Sequence, residues 1–227
     1  MRHYLLFPLF MALALSTASA DEPKANLLAP RAKSVKEPAL RRELLERVKA
    51  DQDARMASIE WMKRHSMIGG VDVATLSEEL KSEYERLGLA MKQADEENTK
   101  RLAEIVDQHG WPTITLVGPD GANAAWLLVQ HADRDRPFQR KCLDLMTKLP
   151  KQEVPQRDLA YLTDRVLLGE GKKQLYGTQM DSTDGKWVPR PLEDPENVEK
   201  RRAERGLEPL AEYIKQIESV YGPAPSK

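Results

Sequence analysis

From Leu80 to His109 the apolar and small residues recur at spacings of three and four without interruption: Leu80, Tyr84, Leu87, Met91, Ala94, Asn98, Leu102, Ile105 and His109 fall on one side. Only an α-helix gathers residues of that period onto one face, so the whole stretch is committed to one long amphipathic helix. Ser77 is placed to cap its first turn. Gly88 weakens its middle, and Gly110-Trp111-Pro112 stops it, because Pro112 cannot continue the hydrogen-bond ladder and pushes Trp111 out of the α region. A helix of this kind needs partners for its stripe. The preceding segment offers one in Leu44, Leu45, Val48, Met56, Ile59 and Met62, a second helical stripe that begins near Leu40 and closes at Ile68-Gly69-Gly70.

The rest of the chain continues the pattern. Ala124 to Val129 is apolar nearly all round and reads as a central buried helix. Further helices are predicted from Pro137 to Leu149, from Pro155 to Leu168, after Pro195, and from Pro209 to about Tyr221. Between them, Gln174 to Met180 faces Lys186 to Pro191 across a turn containing Asp184-Gly185, a β-hairpin signal. The expected fold is mainly α, a single irregular multi-helix domain over residues 40–221 with one small β-hairpin near residues 174–191. No internal repeat is found.

The termini read differently. Arg2 precedes an apolar run from Leu5 to Leu15, and Ala18-Ser19-Ala20 precedes Asp21. That is the pattern of a secretory signal peptide, residues 1–20, cleaved after Ala20. No Cys follows the apolar run to carry a lipid, and no later run is apolar enough to span a bilayer, so no membrane insertion is expected after cleavage and the mature chain is expected in the periplasm or secreted. Residues 21–39 read as a flexible arm and residues 222–227 as a disordered tail. The 35 basic and 36 acidic residues nearly cancel, which leaves no field to recruit nucleic acid. Cys142 falls on the apolar face of its helix and is expected in the core.

Polar residues at positions where the pattern asks for apolar ones are the candidates for chemistry, since a buried polar group left unpartnered costs about 1–3 kcal/mol. Asn98 sits on the long helix's stripe, and Gln52 and Arg55 sit on or beside that of the first, so they are expected to meet as a polar pin or a ligand contact. His131 ends the most apolar helix and is the best-placed titrating group. Asp164-Arg165 interrupts an apolar helix. Gln174, Tyr176 and Thr178 alternate on one strand face, with Gln179 joining them if Gly177 makes a bulge. No phosphate loop, zinc helix or nucleophile elbow is present. His131, Asp133 and Asp135 fall across a helix end where their spacing fixes no metal geometry, and neither a metal nor another cofactor is implied.

The segments Gly110-Trp111-Pro112, Gln130-His131-Ala132, Asp164-Arg165, Gln174-x-Tyr176-Gly177-Thr178-Gln179 and Arg201-Arg202 with Gly206-Leu207 resemble a bacterial exported-protein family catalogued only as a domain of unknown function, over about residues 43–215. The resemblance implies one domain and no activity. It groups His131, Asp164, Arg165, Tyr176, Thr178, Gln179 and Arg202 into one motif set expected to converge on a shared pocket. The leading expectation is an extracytoplasmic binding or accessory protein for a small molecule or peptide. The alternative is a small hydrolase or transferase with His131 as general base, Asp164 orienting it and Gln179 or Arg165 stabilising an oxyanion. A third reading makes the polar set a purely structural network.

Overall fold

The computed structural model describes residues 35–67 and 70–224. The expected signal peptide, most of the expected arm, Ile68 and Gly69 at the first helix's predicted stop, and residues 225–227 of the predicted tail lie outside the described residues. The described chain runs α1 (Pro38–Arg64), α2 (Glu78–His109), α3 (Ile114–Gln130), α4 (Arg136–Thr147), α5 (Gln156–Gly169), β1 (Met180–Thr183), β2 (Lys186–Pro189), α6 (Val198–Glu204) and α7 (Leu210–Tyr221). It is mainly helical with one small antiparallel hairpin, as the periodicities require.

The long stripe forms α2 without a break at Gly88, capped by Ser77, whose side chain accepts from the Leu80 amide, and ended at Gly110 with φ 72°. That positive φ is open to glycine at little cost. α1 packs against both α2 and α3, α4 pairs with α5, and α5 also meets α3. α3 is central because Ala124, Ala125, Trp126, Leu128 and Val129 are all almost fully buried. It begins earlier than the sequence suggests. Ile114–Val117 form a first turn, Gly118 breaks the helix with φ 78°, and Pro119 opens the main segment. Edge-to-face contacts of Trp126 with Tyr161 and of Tyr161 with Tyr213, each 5.9 Å between centroids, tie α3, α5 and α7 together. Cys142 is fully buried, and burial pushes its thiol up to about 12, so it is core rather than a reactive group.

The hairpin is shorter than the sequence predicts. Met180 to Thr183 pair with Lys186 to Pro189, and the segment before them is not strand. Residues 174–179 instead wrap around one side chain of α5. Asp164 accepts from the backbone amides of Leu175 at 2.7 Å, Tyr176 at 3.0 Å and Thr178 at 2.9 Å, and from the Thr178 hydroxyl at 2.9 Å. Gly177 makes the turn with φ 68°. Burial pushes the Asp164 carboxyl up and these donors oppose it. Gln174 stitches the same loop to the strands, accepting from the Gln179 amide at 3.0 Å and donating to the carbonyls of Gln179 at 2.9 Å and Arg190 at 2.8 Å. Arg202, fully buried in α6, donates to the carbonyls of Tyr176 at 2.6 Å and Glu208 at 2.7 Å and lies over the Tyr213 ring. At the other end, Trp187 donates to the Gly222 carbonyl at 3.0 Å and Ala224 is buried, so packing continues into the predicted tail.

Asp164→Asn keeps the shape of the side chain but turns an amide NH2 toward donors. Its expected cost is about 3 kcal/mol in urea unfolding, because charge-assisted bonds are lost and buried amides are left unpaired. A loss under about 1 kcal/mol would show that the loop does not depend on this carboxylate.

Candidate functional site

The second polar cluster is built where α1, α2 and the end of α3 meet. Asp51 and Arg55 stand one turn apart on α1, Asp95 projects from α2, and His131 is the residue that closes α3. Asp51 is 1% exposed and His131 5%. His131 Nδ1 lies 3.0 Å from Asp51 Oδ2 and 3.1 Å from Oδ1, and Arg55 Nε is 3.0 Å from the same nitrogen. A carboxylate only accepts, so the Asp51 contact is attractive with the proton on Nδ1. The Arg55 Nε–H is then directed to Asp51, whose oxygens lie at 3.3 and 3.4 Å. In this tautomer Nε2 carries a lone pair, and that atom is buried with no partner among the described residues.

Arg55 is the cation of the cluster. Its Nη2 reaches Asp51 Oδ1 at 3.2 Å and also bonds Asp95 Oδ1, while Gln52 donates to Asp51 Oδ2 at 2.7 Å. Burial works against the Asp51 carboxylate, but donation from His131 and the charge of Arg55 outweigh it and hold the group at about 2. Burial pushes Asp95 up to about 6, with Arg55 opposing and the charges of Asp51 and Asp133 adding to the rise. Burial lowers His131 below its ordinary value against the pull of Asp51, so the imidazole is neutral at pH 7 and the counter-charge to Asp51 is the guanidinium.

Beside these groups lies Asp133, held by Arg165 in a two-pronged pair, Nε to Oδ1 at 2.9 Å and Nη2 to Oδ2 at 2.5 Å. Arg136 and Gln139 also donate to Asp133 Oδ1, at 3.0 and 3.2 Å. Arg165 Nη1 continues to Gln179 Oε1 at 3.3 Å, and the Gln179 amide to the Thr178 hydroxyl at 3.3 Å, which joins this pair to the Asp164 loop. A cavity of about 340 Å³ opens next to the Asp95–His131 cluster, with Asp95, Thr99, Lys100, His131, Arg134 and Asp135 in its wall. Asp51 and Arg55 do not line it.

The residues singled out in the sequence therefore divide. Gln52, Arg55 and His131 come together, but on Asp51. Asn98 does not reach Gln52 or Arg55 by any hydrogen bond among the described residues; it accepts from Arg47 at 3.3 Å, and Asp95, one turn earlier on α2, takes the place expected for it. Asp164, expected to orient His131, is occupied by the loop amides, and Asp51 does the orienting. Asp164, Gln174, Tyr176, Thr178 and Arg202 build the loop and its support. Arg165 and Gln179 connect that loop to Asp133. Of the motif set expected to share a pocket, His131 alone lines this cavity. The sequence gives Asp51 and Asp95 no place among the candidates, and it considers Asp133 only as part of a metal set and sets it aside. A signal existed for two of them: Asp51 follows Val48 by three on the α1 stripe, and Asp95 follows Met91 by four and precedes Asn98 by three on the α2 stripe, where a solvated carboxylate does not belong.

Residues 78–224 match a family of unknown function, DUF6624. The chain belongs to this family. The match begins later and ends later than the sequence resemblance, and it takes in Asp95, His131, Asp133 and the whole Asp164 loop. α1, which supplies Asp51 and Arg55, lies outside the matched residues of this DUF6624 protein. No curated protein and no solved structure matches the chain.

The two shifted groups give opposite pH dependence. Asp95 has a folded pKa above its unfolded value of 3.8, so its contribution to stability is present below about pH 4 and lost as pH rises toward 6. His131 has a folded pKa below its unfolded value of 6.5, so its contribution is present above that pH and lost as pH falls. Asp95→Asn should therefore gain on the wild type between pH 4 and pH 7, by up to about 3 kcal/mol for a two-unit shift. His131→Gln should gain on it between pH 7 and pH 5. Urea unfolding at several pH values reads both, and differences that stay flat with pH would refute the assignment.

Proposed function

We propose that the protein works outside the cytoplasm and binds a small polar ligand in the cavity beside His131. The observation that carries this reading is the buried Nε2 lone pair, without a partner among the described residues, on a residue that lines a cavity of about 340 Å³. A buried acceptor left unpaired costs the fold free energy, and a ligand with a donor at that point would remove the cost. The volume lies at the small end of ligand sites and suits a small molecule better than a peptide. Lys100 and Arg134 beside Asp95 and Asp135 favour a ligand that carries polar or charged groups of both kinds. Export rests on Leu5 to Leu15 and Ala18-Ser19-Ala20, and among the described residues no helix is long and apolar enough to cross a membrane.

The hydrogen bond from His131 Nδ1 to Asp51 favours a second reading, in which Nε2 acts as a general base on the bound molecule. A carboxylate on Nδ1 fixes the tautomer that leaves Nε2 free to take a proton.

Native mass spectrometry of protein recovered from an exported fraction, followed by a polar-metabolite screen, tests the proposal. The expected mature chain begins at Asp21 and holds a ligand that His131→Gln retains at least tenfold more weakly. A chain that keeps its first twenty residues would refute export, and a metabolite screen without a hit, or one whose hit is indifferent to His131→Gln, would refute the cavity as the site.

A further inference from the structure

Asp51, Asp95 and His131 converge on a cation that the chain itself supplies, the Arg55 guanidinium, which lies against all three. The sharing is uneven. Arg55 meets Asp51 with both prongs of its fork, but at 3.3 Å from Nε and 3.2 Å from Nη2, while the same Nη2 also bonds Asp95 on the other helix. The neighbouring Arg165–Asp133 fork, which serves one carboxylate, closes to 2.9 and 2.5 Å. Arg55 is thus drawn out between two carboxylates. Asp51 keeps other donors in Gln52 and, through Nδ1, in His131, whereas Arg55 gives Asp95 its one hydrogen bond among the described residues. Asp95 also lines the cavity, with a side chain 22% exposed, so a proton reaches it without any opening of the core.

We infer that Arg55 is a proton-operated latch between α1 and α2: with Asp95 ionised it bridges the two helices, and when Asp95 takes up a proton the guanidinium closes its fork on Asp51 and releases the tie to α2. A guanidinium with one carboxylate favours the two-pronged geometry, as Arg165 shows on Asp133. The charged groups around Asp95 decide where the proton goes. Asp51 and Arg55 face it from α1, His131 from the end of α3, Asp133, Arg134 and Asp135 from the turn that follows, Arg165 from α5, and Glu96 and Lys100 flank it on α2. Three carboxylates, Asp51, Asp95 and Asp133, here meet two largely buried guanidiniums, Arg55 and Arg165, and Arg136 of α4, the further cation on Asp133, is 45% exposed. Asp133 has Arg165 to itself and Asp51 has three donors, so the surplus negative charge falls on Asp95. Burial, with the charges of Asp51 and Asp133 adding to it against Arg55, raises that carboxyl to about 6. Burial, with Arg55 and Arg165 nearby, keeps a second proton off His131 against the pull of Asp51. The folded state holds the Asp95 proton more tightly than the unfolded chain does, so the exchange of partners is a change within the fold and not acid unfolding. Its effect reaches the cavity wall, where Asp95 turns from a charged acceptor into a neutral group that can donate.

NMR of the unsubstituted protein, labelled with ¹³C and ¹⁵N and titrated from pH 8 to pH 4, reads the Asp95 carboxyl, the His131 ring nitrogens and the Arg55 Nε–H separately. The expected result is an Asp95 midpoint near 6, an Arg55 signal that shifts with the same midpoint, and a His131 ring that keeps a single proton, on Nδ1, until the Asp95 step is complete. In Asp95→Asn, which cannot ionise, the Arg55 signal should stay close to its acid position from pH 8 to pH 5. An Asp95 carboxyl that stays ionised below pH 5, a step carried by His131 instead, or an Arg55 signal indifferent to the Asp95 step would each overturn the latch, as would an Arg55 signal that still titrates in Asp95→Asn. These readings come from protein without a ligand, so a failed metabolite screen leaves them standing and a failed latch leaves the cavity reading intact.

Discussion

Asp51 occupies the same helix face as Leu44 and Ile59, and a carboxylate at 1% exposure there would be expelled by its own desolvation if it stood alone. Arg55, one turn further on, makes the position stable by bonding Asp51 and reaching across to Asp95, so one guanidinium ties α1 to α2 at the point where both meet the end of α3. The three helices pack as they do because this charge pattern is closed. His131 depends on the same closure, since the carboxylate that holds its ring would otherwise be an unpaired buried anion.

A similar logic governs the C-terminal half, with the roles of backbone and side chain exchanged. The segment from Gln174 to Gln179 has neither the pairing of a strand nor the ladder of a helix, so its amides need another acceptor. Asp164 provides it, Gln174 joins the loop to the strands, and Arg202 takes the carbonyl left on the far side. Arg165 follows Asp164 in α5 but points to Asp133, so consecutive residues of one helix link the two clusters.

The helices were legible because a period of three to four over many residues survives local noise, and the caps at Ser77 and Gly110 have a mechanism that does not depend on context. The loop was not. Gln174 to Gln179 has alternating polarity, and no local rule distinguishes a strand from a segment wound around a carboxylate ten residues earlier. In the site, His131 and Arg55 stood out because they interrupt apolar runs. Asp95 did not, since Glu96 and Glu97 beside it make the triplet resemble a solvated face. Its burial is decided by Asp51 and Arg55 from another helix, which is tertiary information. Asn98 does face inward, yet its partner is Arg47, five residues before Gln52 and eight before Arg55, because the crossing of α1 and α2 brings a different turn of α1 opposite it.

The boundary of the family match gives this arrangement a modular character. Residues 78–224 carry the imidazole, Asp95 and the cavity wall, whereas Asp51 and Arg55 come from α1, before that boundary. The groups that set the proton position and charge state of His131 thus belong to a helix that lies before the matched residues and yet is part of the same core. The basicity of His131 is therefore decided across the boundary of the family match, by a carboxylate and a guanidinium that the matched part does not itself carry.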